Sequence, residues 1–148
     1  MTRQQSYGDA ERMDGYSPAE LAQIAAHYLA ALERGDPFES ISKFFTADCV
    51  QEEFPNRLVP NGACRSLADM QAAANRGAKA VEAQRFQILS TVAQGNHVAL
   101  EVAWSAKVLL PFGSLKPGDS MTARFALFLQ FRDGRIERQH NYDCFDPF

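Results

Sequence analysis

The sequence predicts an α+β domain: a strongly curved sheet of long strands wrapped around helices. Three observations predict it. The first half carries clear helix starts, at Ser17-Pro18-Ala19-Glu20, Asp36-Pro37-Phe38-Glu39 and Ser66 with Asp69. The second half is filled by long runs with one apolar face, His97–Leu110 and Met121–Phe131. Strands of that kind need a cover on the apolar side, and the early helices supply it.

Met1–Tyr16 is polar, rich in Gln and Asp and without period, and reads as a flexible lead-in to a single domain spanning 17–148. Ser17 caps the first helix, Pro18 suits its first turn, and Glu20 completes a capping box. Leu21, Ile24, Ala25, Tyr28, Leu29 and Leu32 then form one apolar stripe, and Gly35 ends the helix. A second short helix is expected to about Phe45. Cys49–Phe54 alternates weakly as a short strand, and Pro55–Arg65, with Pro60-Asn61-Gly62, reads as a loop. Ser66 opens a third helix carried by Leu67, Met70, Ala73, Ala74 and Val81. Arg85–Ala93 is the next strand, and Gly95-Asn96 turns it into His97–Leu110. There Val98, Leu100, Val102, Trp104, Ala106, Val108 and Leu110 share the apolar face. In the following run Met121, Ala123, Phe125, Leu127, Leu129 and Phe131 share one. Asp133-Gly134 favours a tight hairpin turn into the last strand.

That last strand is the unusual one. Glu137, Gln139, Asn141 and Asp143 fall on one face, and Arg138, His140 and Tyr142 on the other. It buries little apolar surface by itself. Either it is a solvated edge, or one of its faces supplies the convergent polar groups of a ligand cavity between sheet and helices.

Composition bounds the function. A chain of 148 residues is one domain, and 46% hydrophobic with 22% charged residues is ordinary for a soluble globule. A net charge of −3 and the lack of any Lys/Arg cluster argue against a nucleic-acid partner. No run has the length of a membrane span, and the N-terminus lacks the plan of a signal peptide. Cys49, Cys64 and Cys144 are odd in number and widely spaced, so free thiols are expected. His27, His97 and His140 do not pair with Cys at metal-ligand spacing. The expectation is a cytoplasmic protein without metal or cofactor.

Several short stretches, in order and spacing, resemble the nuclear transport factor 2-like superfamily, in particular its ketosteroid-isomerase-like and polyketide-cyclase-like (SnoaL-like) members. They are Tyr28-Leu29-Ala30-Ala31-Leu32-Glu33-Arg34-Gly35-Asp36, Phe44-Phe45-Thr46-Ala47-Asp48, the hairpin Phe131-Arg132-Asp133-Gly134-Arg135-Ile136 and the tail Tyr142-Asp143-Cys144-Phe145-Asp146-Pro147. The resemblance implies a cone-shaped, cystatin-like fold with a pocket and dimerisation through the outer face of the sheet. Phe128, apolar on that face, agrees with a homodimer.

The resemblance also suggests site residues. Ketosteroid isomerases place an oxyanion-donating tyrosine seven residues before the helix-ending glycine, where Tyr28 stands before Gly35. Their general-base aspartate precedes the proline ending the first strand; here that position is Phe54, with Glu53 one earlier. Their second acid corresponds to Leu127. The Arg/Asp pair of related epoxide hydrolases is missing too, since Ala126 follows Arg124 at that spacing. Aligning Ile136 with the family hairpin turns Gln139, Asn141 and Asp143 toward the cavity. Asp143 is the expected base and Tyr28 or Asn141 the group that stabilises an enolate oxygen, with Phe125, Leu127 and Trp104 as walls. Each has a plainer alternative: Tyr28 and Trp104 as core, Glu53 as a solvated strand end, and His140 as an outer-face residue unless a bulge turns it inward. Three functions follow. One is an enzyme moving protons on a small apolar carbonyl compound by isomerisation, cyclisation or dehydration. The others are a carrier of such a ligand and a dimerisation module.

Overall fold

A computed structural model describes residues 12–148. The rest of the expected lead-in, residues 1–11, lies outside the described residues. Residues 12–16 are docked rather than loose: Met13 and Tyr16 exchange backbone hydrogen bonds of 2.9 and 3.0 Å. Arg12 pairs with Glu20 at 3.1 Å.

Helix α1 (Pro18–Arg34) has the expected capping box, with Ser17 and Glu20 each bonding the other's backbone, and Gly35 closes it in a left-handed conformation. Helix α2 (Phe38–Ile41) is a single turn that tightens into a 3-10 turn at Ser42–Phe44. Strand β1 (Phe45–Glu53) follows at once, earlier than expected. Its alternation is broken by a bulge between Phe45 and Val50, which hides its first half from periodicity. A further short strand, β2 (Ala63–Arg65), lies within the stretch expected to be loop and pairs with β1. Gly62 makes that return possible: at φ 65° a Cβ would stand 2.7 Å from the Glu53 carbonyl oxygen.

Helix α3 (Leu67–Ala80) carries a second capping box, Ser66 with Asp69. Val81 belongs not to it but to β3 (Val81–Gln94). Strand β4 spans His97–Val108, leaving Leu109 and Leu110 exposed beyond it, and β5 (Ser120–Arg132) runs into β6 (Arg135–Phe145). Asp133 and Gly134 both take positive φ, 52° and 73°, the tight-turn geometry that their types favour.

The six strands form one sheet in the order β2-β1-β6-β5-β4-β3. All neighbours are antiparallel except β1 and β6, which run parallel. The sheet curves without closing around the helices, giving the cone-like α+β fold. Helix α1 lies against β3 and β4, and α3 against β1 and β3. One core cluster joins Leu21, Ala25 and Leu29 of α1 to Val98, Leu100, Leu129, Phe131 and Ile136 of the sheet. A second gathers Trp104, Val108, Met121 and Ala123 toward the other end of the long strands. All three cysteines are free, and no described helix is long and apolar enough to cross a membrane.

Candidate functional site

A cavity of about 390 Å³ lies between the concave face of the sheet and the helices. Its apolar wall comes from Phe38, Met70, Phe86, Phe125 and Leu127, and its polar strip from Tyr28, Gln51, Gln139 and Asn141. Exposed lining residues Gly35, Ala74 and Ala78 mark an opening between the end of α1 and α3. Past Met70, helix α3 presents small side chains to the cavity, Ala73, Ala74, Gly77 and Ala78.

Strand alternation explains the polar strip. Gln139 of β6 stands between Gln51 on β1 and Leu129 on β5, and Asn141 between Glu53 and Leu127. The Tyr28 hydroxyl donates to Gln139 Oε1 at 3.1 Å, and Gln139 Nε2 donates to Asn141 Oδ1 at 2.8 Å. Tyr28 and Gln139 are only 3% and 2% exposed, so this chain is sealed from water at its helix end. Burial holds the Tyr28 hydroxyl well above the ordinary tyrosine range, with the hydrogen bond to Gln139 acting the other way. Tyr28 is therefore a neutral donor already committed to a protein acceptor.

Asp143 is the next inward residue on β6, beside Phe125. Its Oδ1 is shielded from solvent and has no hydrogen-bond partner among the described residues. Its pKa is pushed up to about 7, chiefly by burial, then by the negative charge of Glu53, with Arg65 opposing. Glu53 is itself held by Arg65 at 2.7 Å and by Asn56 Nδ2 at 2.9 Å. Arg65 also donates to Gln51 Oε1 at 3.2 Å, tying this ion pair to the cavity lining.

The structure thus gathers Tyr28, Gln139, Asn141, Phe125 and Leu127 around one cavity, with Asp143 next on the same strand face. Trp104 stands behind the wall: it stacks on Phe125 at 5.3 Å and donates from Nε1 to Gln84 Oε1, and it is Gln84 that lines the cavity. Phe54 and His140, expected at the ligand, lie instead on the outer face. Phe54 stacks on Tyr142 at 4.4 Å and meets His140 edge-on at 5.7 Å. His140 approaches Glu52 at 3.8 Å. The β5–β6 register is regular from Leu129–Gln139 onward, so no bulge turns His140 inward, and Phe54 follows Glu53 with opposite parity. A groove of about 450 Å³ runs along this outer face past Phe128, His140 and Tyr142, well apart from the concave cavity. Gln51, Gln84, Arg65 and the small face of α3 escaped the sequence reading. Only α3 left a trace there, in the spacing of Met70, Ala73, Ala74 and Gly77. Among the described residues no His/Cys/Asp/Glu cluster could hold a metal ion.

A curved α+β cone with a mostly apolar cavity, open between α1 and α3, and a polar strip on its last strand is the architecture of a pocket protein. Residues 25–139 match the SnoaL-like domain, and the chain belongs to that family. No curated protein matches the chain in sequence. Among solved structures it is similar to AclR from Streptomyces galilaeus, a candidate hydroxylase, at 25% identity and TM-score 0.73, over 88% of this chain and 83% of that one. It is also similar in fold to IdmH from Streptomyces antibioticus, a candidate polyketide cyclase, at 18% identity and TM-score 0.70, covering 83% and 91%. A ketosteroid isomerase-like protein of Catenulispora acidiphila, solved with trimethylamine, aligns at 18% identity and TM-score 0.64, covering 81% and 84%.

Proposed function

We propose that this SnoaL-like domain binds a small, mostly apolar carbonyl compound in the concave cavity and moves a proton on it, with Asp143 as general base. The observation that carries this reading is the shielded, unpartnered Oδ1 of Asp143, one inward position beyond the cavity-lining Asn141 on the same strand face. A carboxyl that ionises at about 7 suits proton transfer at neutral pH, because both of its forms are then accessible. The ionised carboxylate takes a proton from the carbon next to the carbonyl. The electron pair of that C–H bond moves to the carbonyl oxygen as an enolate, which a hydrogen-bond donor stabilises. Asp143 then returns the proton at another position, giving isomerisation. Alternatively the enolate carbon attacks a second carbonyl of the ligand, whose oxygen takes the electron pair and the proton from Asp143, giving cyclisation. Or it expels a β-hydroxyl group, which takes that proton and leaves as water, giving dehydration. The protein acts as a homodimer through its outer sheet face, where Phe128 is 50% and Tyr142 42% exposed.

A carrier of the same ligand is the second reading. It is favoured by the commitment of the Tyr28 hydroxyl to Gln139, and by Phe54 and Leu127 at the base and acid positions, respectively, of ketosteroid isomerases.

Deuterium exchange at the α-carbon of cyclic ketones in D₂O, followed by NMR, tests the proposal. Wild type is expected to accelerate exchange, with a rate rising with pH through about 7 as Asp143 ionises. Asp143→Asn is expected to lower the rate by about two powers of ten or more. Binding without acceleration across a panel of ketones would replace the enzyme reading with the carrier.

A further inference from the structure

The Tyr28–Gln139–Asn141 chain has a direction, and its direction decides what the cavity can recognise. An amide chain of this kind can in principle run either way. In one sense Tyr28 donates to Gln139 and Gln139 donates to Asn141. In the other Asn141 donates to Gln139 and Gln139 donates to the tyrosine oxygen. The second sense leaves the Tyr28 proton to find another acceptor. Around Tyr28 stand the rings of Phe44 and Phe45, with centroids at 5.7 and 5.2 Å, and Gln139 is its hydrogen-bond partner among the described residues. A buried hydroxyl proton without an acceptor is costly, so Tyr28 must donate and the first sense is selected. Gln139, buried at 2% exposure, is held with its oxygen toward the helix and its amide nitrogen toward Asn141. The Asn141 carbonyl oxygen is thereby occupied. Its Nδ2 group, with two protons and no protein partner among the described residues, is the free end of the chain, on a residue that lines the cavity.

We propose that Asn141 is the donor that recognises the ligand's oxygen, and that Tyr28 acts on it at second hand, through Gln139, as a positioning residue. The cavity then selects ligands that bring a hydrogen-bond acceptor, a ketone or the enolate formed from it, to the β6 strip. A group that can only donate is selected against. This rests on the reading of the cavity as a carbonyl-binding site. It moves the oxyanion contact from the tyrosine to the asparagine, and puts that contact one inward position from Asp143 on the same strand.

A matched pair of probes tests it: 1-tetralone, which only accepts, and its alcohol 1-tetralol, which accepts and donates. Dissociation constants are measured by calorimetry on wild type, Tyr28→Phe, Asn141→Leu and the double variant, with thermal melts to confirm folding. Asn141→Leu is expected to weaken the ketone about tenfold, the loss of one well-made hydrogen bond. Tyr28→Phe is expected to weaken the ketone about fivefold and the alcohol less, because a freed Gln139 lets Asn141 turn its oxygen to the cavity and the alcohol can donate to it. In the Asn141→Leu background Tyr28→Phe is expected to change ketone affinity no further, the signature of action through that residue. Equal losses in both backgrounds, or equal losses for both probes, would overturn the proposal, since a purely structural tyrosine would give them. A further measurement needs no variant: the ¹³C shift of carbonyl-labelled tetralone bound to wild type is expected downfield of its value in alkane solvent. A bound carbonyl with the alkane shift would overturn it as well. Asp143→Asn separates the two readings. If it leaves the probe preference intact and no exchange is catalysed by wild type, the base assignment fails while the role of Asn141 stands.

Discussion

Burial and the charge of Glu53 raise the Asp143 carboxyl from an ordinary 3.8 to about 7. The consequence for stability has a definite sign. Between these two values the folded protein binds a proton that the unfolded chain has released, so stability falls as pH rises through that window. The penalty is absent below about pH 4 and complete above about pH 7, with Asp143 ionised in both states. Asp143→Asn removes it. The variant is therefore expected to melt higher relative to wild type at pH 8 than at pH 4, and a difference that does not change between these pH values would contradict the raised pKa. At this scale the sequence was readable where alternation is strict. Gln139, Asn141 and Asp143 share a face by parity alone. Arg65, which opposes the shift on Asp143, was not readable: it sits in a three-residue strand behind Pro60-Asn61-Gly62, where turn chemistry outweighs periodicity.

Bulges govern the elements in the same way. In β3 the pairs Glu82↔Lys107 and Arg85↔Ser105 enclose one extra residue on the β3 side. Ala83 occupies this bulge at φ 51°, a left-handed conformation that a Cβ disfavours. The extra residue switches the parity of the strand. Val81 points inward before it, and Gln84 and Phe86 after it, and this switch puts Gln84 in the cavity wall and under the Trp104 indole. Ala83 is exposed, so relief of strain has no packing cost. Ala83→Gly is expected to stabilise the fold by about 0.5–1 kcal/mol in urea denaturation, the left-handed penalty less the added freedom of the unfolded chain. A loss of stability would mean that the bulge is not strained at this residue. The starts of α1 and α3, by contrast, were legible to the residue, because Ser17 with Glu20 and Ser66 with Asp69 announce themselves locally. Helix α2 starts one residue later than a cap at Asp36 would set it, at Phe38 with Pro37 before it and no side-chain cap. The start of β3 was not, because nothing in a helical stripe ending at Val81 marks where the chain stops turning.

For the molecule as a whole, the outer face carries Phe128 against Tyr142 at 5.7 Å, and Tyr142 stacks in turn on Phe54. Two exposed aromatic rings in contact, Phe128 and Tyr142, are the kind of apolar patch that marks an interaction surface. A dimeric mass is expected by light scattering at micromolar concentration, and Phe128→Lys is expected to give a monomer with an unchanged melting profile for its helices. A monomeric wild type would refute assembly through this face. The parallel pairing of β1 with β6 has a different consequence, one of timing. On one side β1 meets only the three residues of β2; its main partner is β6, and the two are separated by most of the chain. Contacts this distant in sequence form slowly, since a long loop must close before they are rewarded. The hairpins β3–β4 and β4–β5 join neighbours and can zip as they are made. The first long strand has to wait, its main edge open, until the last is complete and slots between it and β5. The polar strip of the cavity is carried on that last strand, so the polar wall of the cavity is set in place at the closing step of folding.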